Sequence, residues 1–297
     1  MSARPRAYDF LMTLPSRTDR NVGDIAYWKG TGGQRWLAHQ RLHDALLAPV
    51  TAVLLDRAAA RVGEAVLDIG CGSGAISIAL AQRVAPSGRV LAVDVYPPLL
   101  ERARELAPPG LPLQFALGDA ATYPFEPGGA ELLCSRFGVM FFADPDAAFG
   151  NMRAALRSGA RLVFACWREP RQNPWQMLPL QEAYRHVARL PETGPEDPGP
   201  YSFASEQRVR RILERAGFSA IALEPIDLSI DLAEGEGLDR AVETALGIGP
   251  ASRAIDGQPP AVRVAVAESI RAALAKYQKG NRVPLPGAIW VVSARNP

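Results

Sequence analysis

The sequence predicts a doubly wound α/β fold built on a mostly parallel sheet. Three observations predict it. From residue 65 to residue 167 short apolar runs alternate with segments of helical spacing, which is the rhythm of βαβ units. The runs are mostly apolar without strict alternation, which suits strands covered on both faces. The first run ends in a glycine turn, Gly70-Cys71-Gly72-Ser73-Gly74, that leads directly into a helix.

The elements follow in order. Residues 1 to about 32 are polar and carry Gly23, Gly30, Gly32 and Gly33, so a loose arm is expected. Trp36-Leu37, Leu42 and Leu46-Leu47 have helical spacing and predict a helix over 34–47. Pro49 stands near the start of a second, over about 51–60. Strands are expected at 65–69, 89–95, 113–117, 131–135 and 161–167. The intervening helices are expected at 75–84, 98–106 and about 144–156. A further helix at 205–216 ends at Gly217, a C-terminal cap. Residues 221–230 and 288–292 read as two closing strands.

Two segments break the rhythm. Residues 169–204 are rich in proline (Pro170, Pro174, Pro179, Pro191, Pro195, Pro198, Pro200), and about 232–286 holds an apparent helix over 261–276. Long insertions leaving the carboxyl edge of an open α/β sheet lie where such sheets bind ligands and are expected to be lids. The organisation read here is thus an arm with helices at 1–62, a binding core at 63–168, a lid at 169–204, and the rest of the core at 205–297 with its own insertion.

Composition excludes several classes. The formal net charge is +2 among 297 residues, so no excess charge points to nucleic acid or an anionic membrane. Cys71, Cys134 and Cys166 are far apart, which fits a reducing, cytoplasmic setting and argues against a disulfide framework. Arg4 and Arg6 are not followed by an apolar run of signal length. No stretch approaches the roughly 18 apolar residues of a membrane span. Sequence leaves the oligomeric state open.

The glycine turn alone also fits a dinucleotide fingerprint, with Ala75 in the third small position. Asp68, two residues before the first glycine, separates the two readings. A carboxylate there repels a pyrophosphate and suits a ligand that presents a cation, such as the α-ammonium of a methionine moiety. Asp94, at the end of the second strand, can accept from both ribose hydroxyls. Asp119, after the third, can accept from the exocyclic amine of adenine. A lone Asp at a strand end is usually a cap or turn former, but three at successive strand ends form a constellation.

These residues carry a resemblance. Val66-Leu67-Asp68-Ile69-Gly70-Cys71-Gly72-Ser73-Gly74 resembles motif I of the class I S-adenosylmethionine-dependent methyltransferases. Val90-Leu91-Ala92-Val93-Asp94 resembles their second motif, Gly118-Asp119-Ala120 their third, and Glu131-Leu132-Leu133-Cys134-Ser135-Arg136-Phe137 their fourth-strand segment. Within that class the chain is similar to the small-molecule branch that includes the ubiquinone and menaquinone biosynthesis methyltransferases. One departure is Glu131, where that branch usually has Asp after an aromatic residue; it is expected to affect packing more than chemistry. The resemblance implies a Rossmann-like seven-stranded sheet whose last strand is antiparallel. It implies S-adenosyl-L-methionine as cofactor, with Asp68, Gly70, Cys71 and Gly72 around the methionine part and Asp94 and Val95 at the ribose. Tyr96, Asp119 and Ala120 would meet the adenine, and Ser135 would sit near the methionine end.

Methyl transfer from a sulfonium needs orientation and desolvation more than a protein nucleophile, and a base only if the acceptor must lose a proton. The candidates for catalytic work are His39, His43 and Arg136. The two histidines are one helical turn apart and carry three readings: half of a metal site, an exposed helix face, or a base. No other Cys or His pair completes a metal site, so none is expected. Arg136 either orients an anionic acceptor or pairs with a carboxylate. Trp28 and Trp36 could close over a sulfonium or simply pack. Trp167, Trp175, Met177, Leu178, Leu180, Tyr184 and Phe203 suit a small, partly apolar acceptor. Nucleic-acid amino-methylating enzymes carry an Asn/Asp-Pro-Pro-aromatic motif after the fourth strand, where this chain reads Ser135-Arg136-Phe137-Gly138. Asn173-Pro174-Trp175 looks similar but follows the fifth strand. Neither a nucleic-acid nor a membrane partner is therefore expected. A nucleic-acid or protein methyltransferase and a non-catalytic module that keeps the cofactor pocket are the alternatives.

Overall fold

The computed structural model describes residues 26–192 and 194–297. Seven strands form one sheet in the order β3-β2-β1-β4-β5-β7-β6. They are β1 (Ala65–Ile69), β2 (Arg89–Asp94), β3 (Leu113–Leu117), β4 (Ala130–Arg136), β5 (Leu156–Trp167), β6 (Ser219–Asp231) and β7 (Pro284–Arg295). The first five are parallel, and β7 runs antiparallel between β5 and β6. Every residue of β1 is buried, because a central parallel strand has helices over both faces.

The N-terminal region forms α1 (Thr31–Ala38), α2 (Gln40–Leu46) and α3 (Ala48–Ala58). Most of the loose arm, residues 1–25, lies outside the described residues. Its last residues depart from expectation: 26–29 are helical and α1 already includes Thr31. The single helix expected over 34–47 is two, since His39 leaves helical geometry at φ −113°. Next come α4 (Ala75–Val84), α5 (Pro97–Leu106), α6 (Pro145–Ala154) and α8 (Glu206–Arg215), which flank the sheet. Helices α3 and α4 pack together over the central strands, and α6 packs on α8. Glu131 accepts a hydrogen bond from the Ala65 N–H at 2.7 Å and pairs with Arg157 at 2.9 Å. The acid that opens β4 thus fastens the start of β1.

β5 begins five residues before the expected Arg161. Its first part, through Gly159 at φ +79°, pairs Leu156 with Ala130 across an irregularity. β7 begins at Pro284 rather than Ala288. The β6–β7 pairing runs from Ser219↔Arg295 to Asp231↔Pro284, whereas β5 ends at Trp167↔Ile289. The outer hairpin therefore projects past the carboxyl edge, and both interrupting segments leave from that edge. The first holds α7 (Pro174–Ala183); the second holds α9 (Leu238–Gly247), α10 (Gly249–Ala254) and α11 (Pro260–Leu274). Helix α7 packs on α10 and α11, so the two segments form one body. No helix among the described residues is long and apolar enough to cross a membrane.

Candidate functional site

The site is built at the carboxyl ends of β1, β2, β3 and β4. Gly70 turns the chain at φ +65°, and a Cβ there would stand 2.7 Å from the Gly138 Cα. Only glycine lets the loop after β1 pass under the loop after β4. Gly72, at φ +55°, faces the Trp36 indole, whose Nε1 lies 3.7 Å from where a Cβ would be. Cys71 is buried between them and burial pushes its thiol well up. It is free, like Cys134 and Cys166.

Asp68 is 1% exposed, and its Oδ2 accepts from the Ser77 hydroxyl at 2.6 Å. Burial pushes its carboxyl up to about 6, and the charge of Asp94 adds to this. The Ser77 bond and the more distant charge of Arg136 oppose it. Asp94 receives the Gly72 N–H on one oxygen at 2.8 Å and the Tyr96 N–H on the other at 3.0 Å. Burial raises its pKa too, against the pull of those N–H groups. The Val95 N–H also faces this carboxylate, which keeps part of its acceptor capacity for a ligand. Val95 forms the half-buried bend after Asp94, and Tyr96 is buried at the start of α5 with its ring against α1 at Gly33.

The Gly118 N–H donates to the Asp94 carbonyl at 3.0 Å, which sets the loop after β3 beside that after β2. There Asp119 Oδ1 accepts from the Ala121 N–H at 2.9 Å, and the carbonyl of buried Ala120 accepts from Asn151 at 3.0 Å. Ser135, expected near the methionine end, is engaged by the backbone. Its buried hydroxyl donates to the Ile69 carbonyl at 2.7 Å and accepts from the Gly138 N–H at 3.2 Å. It ties β4 to β1.

Arg136 is drawn to the N-terminal helices. Its side chain is 9% exposed, donating to Thr51 Oγ1 at 2.7 Å and to Asp44 Oδ1 at 3.4 Å. Burial lowers its pKa and the nearby carboxylates of Asp44 and Asp68 resist that. Of the two readings for Arg136, the carboxylate pair is present. His39 and His43 diverge. His43 stacks on Trp36, with centroids 3.9 Å apart and planes 7° apart. Burial, His39 and Arg136 together push its pKa down to about 3. An effective base has a pKa near the working pH, and His43 stands far below it. His39 instead packs against Gly247 and lines a cleft of about 420 Å³ between α1 and the helices α9 to α11, with Arg35, Ser252, Asp256 and Arg263. Arg35 pairs with Asp256 across the mouth of that cleft. Among the described residues, no three His, Cys, Asp or Glu side chains gather as a metal site.

The residues at the loop fit a ligand with a cationic amino-acid end. A fully buried carboxylate whose bonded neighbour is a hydroxyl, not a cation, is costly to keep charged. An ammonium group beside Asp68 removes that cost. Ser77 escaped the sequence reading, although its place in the first turn of the helix after the glycine loop marks it as a partner for Asp68. Thr51 and Asp44 carried no local signal.

A family model described as a methyltransferase domain matches residues 66–159. Nocamycin O-methyltransferase of Saccharothrix syringae is 30% identical over 200 residues, which are 64% of this chain and 71% of that protein. The chain belongs to the S-adenosylmethionine-dependent methyltransferase family. Demethylmenaquinone methyltransferase of Thermus thermophilus is 29% identical over 183 residues, 56% of this chain and 79% of that one. The fold is shared with phosphoethanolamine N-methyltransferase 2 of Haemonchus contortus, solved with S-adenosyl-L-methionine, at a TM-score of 0.55 and 16% identity. That likeness covers 92% of this chain and 60% of that one. The chain spans about half the length, 57% and 46%, of two other curated relatives it matches.

Proposed function

We propose that the protein transfers a methyl group from S-adenosyl-L-methionine to a small, partly apolar metabolite by in-line displacement. The observation that carries this reading is buried Asp68 beside the glycine turn, with Asp94 at the neighbouring strand end. Bound S-adenosylmethionine supplies an electrophilic methyl group on a sulfonium. Asp68 and the Gly70–Gly72 backbone hold its methionine part, Asp94 and Val95 its ribose, and Tyr96, Asp119 and Ala120 border the adenine. The helices of the two insertions close the carboxyl edge and exclude water, so the acceptor meets the methyl group dry and oriented.

Two features support a small, partly apolar acceptor. At the ends of β4 and β5, Phe137 stacks on Trp167 at 4.3 Å, and Trp167 meets Trp175 of α7 at 5.3 Å, so a buried aromatic cluster joins the carboxyl edge to the first insertion. Nocamycin O-methyltransferase, similar over 200 residues, is named for a small-molecule acceptor. His39, in the cleft beside α9, is the candidate base where the acceptor must lose a proton, and Arg136, held by Thr51 and Asp44, the candidate charge for an anionic acceptor. The test is a metabolite screen with labelled cofactor, with and without a chelator, beside an RNA and DNA panel. Labelling of a small molecule, insensitive to chelator, is expected. Labelling of nucleic acid alone overturns the substrate class, and chelator-sensitive turnover overturns the metal-free reading.

A further inference from the structure

Trp36 has no assigned role in the reading above, yet it occupies a telling place. Its half-buried indole stands over Gly72, with Nε1 3.7 Å from the position a Cβ would take. That N–H meets no acceptor among the described residues. The loop N–H beneath it, that of Gly72, is already spent on Asp94. The two terminal nitrogens of Arg136 donate to Thr51 and Asp44. The amino-acid end of the cofactor carries a carboxylate as well as an ammonium. With Asp68 and Asp94 lining the turn, that carboxylate has to face away from both and find a donor on the covering side. Trp36 offers an uncommitted one there.

The indole is held from two sides. His43 lies flat beneath it at 3.9 Å, and Trp28 meets it edge-on at 6.1 Å while packing on Phe141 at 4.9 Å. Trp36 and His43 are seven residues apart on successive helices, so the stack fixes the turn between α1 and α2 as well as the ring.

Resting on the methyltransferase reading, we propose that Trp36 is a cofactor-binding residue whose indole N–H donates to the carboxylate of the methionine part, and that His43 is the positioning residue that holds it. A hydrogen bond to a charged group is worth more than a neutral one because the acceptor's charge is fully engaged. The bond therefore reads as a selective loss when the donor is removed.

The experiment is calorimetry of S-adenosylhomocysteine and of 5′-methylthioadenosine, which lacks the amino-acid end, on the full chain. Trp36→Phe keeps an aromatic ring and removes the donor. It is expected to weaken S-adenosylhomocysteine five- to fifty-fold and to leave 5′-methylthioadenosine within about twofold. His43→Ala is expected to weaken S-adenosylhomocysteine several-fold, and His43→Phe, which restores a flat partner, to recover most of that. The double variant Trp36→Phe/His43→Ala should bind no worse than Trp36→Phe alone, because a residue that acts through another is not additive with it. Equal losses for both ligands in Trp36→Phe, or no loss for either, overturn the donor. Additive losses, or a His43→Phe as weak as His43→Ala, overturn the positioning role. If the parent chain binds 5′-methylthioadenosine but S-adenosylhomocysteine no more tightly, the carboxylate contact fails while the nucleoside site stands; if it binds neither, the cofactor reading itself falls.

Discussion

Asp68→Asn should make the protein more stable and less able to bind its cofactor. In the folded state the carboxyl is raised from 3.8 to about 6, chiefly by burial. A group whose folded pKa exceeds its unfolded one binds more protons folded than unfolded, so its contribution to stability falls as pH rises between those values. Above about pH 6 the full cost of the buried charge is present; below about pH 4 it is gone. A shift of about 2 units at 1.36 kcal/mol each is about 3 kcal/mol, an upper figure. The amide oxygen introduced by the substitution would still accept from Ser77, and the amide carries no charge. Denaturant unfolding is expected to find the variant more stable by about 1–3 kcal/mol at pH 8, with the gap closing toward about pH 4.5. Asp94 shifts in the same direction, and because its charge also raises Asp68 the gap includes the relief of that repulsion. Calorimetry should show S-adenosylhomocysteine binding weakened about tenfold or more, as expected for a lost charge-assisted hydrogen bond. A variant less stable than the parent at pH 8, or a gap that ignores pH, refutes the assignment of Asp68 as an uncompensated buried charge.

Asp94→Ala removes the acceptor of the Gly72 and Tyr96 N–H groups together with the ribose contacts; S-adenosylhomocysteine should bind about tenfold or more weakly, with about 1–3 kcal/mol lost in denaturant unfolding. Unchanged affinity would place the ribose elsewhere. Gly70→Ala forces a Cβ to 2.7 Å from the Gly138 Cα at a positive φ. It should cost at least about 1–3 kcal/mol, read as a drop in thermal midpoint. Asp256→Ala breaks the Arg35 pair, whose acid is 65% exposed. Stability should change by less than about 1 kcal/mol, while amide exchange over Thr31–Ala38 quickens. Unaltered exchange there would mean the pair does not fasten α1.

The local patterns were legible residue by residue where the chain's own neighbours decide the outcome. β1, α4 and β3 have the bounds their apolar runs and glycine turn imply, because a strand's apolar run and a helix after a tight turn are written in consecutive residues, even though β1 is fully buried and β3, at the sheet edge, is not. The antiparallel seventh strand came from the family resemblance, and the register bears it out. Asp68, Asp94 and the glycines meet at one edge because strand ends in βαβ order must. The first five residues of β5 carried no strand signal: Leu156 closed the expected helix, and Arg157, Ser158 and Gly159 are not an apolar run. They are strand only because Ala130 and the end of β7 lie alongside. The resemblance put Ser135 near the methionine end, but the direction of its hydroxyl depends on which strand is the neighbour, and Ile69 is that neighbour. Likewise Arg136 sits at the site by its position at the end of β4. Its partners, Asp44 and Thr51, lie 92 and 85 residues earlier on helices whose docking no local signal encodes. The same holds for Trp36 over Gly72 and for the union of the two insertions. Sequence determined the strands, the turn and the carboxylates, since backbone conformation and burial pattern are local. Tertiary structure alone decided which side chains cover them, since that depends on packing between segments far apart in the chain.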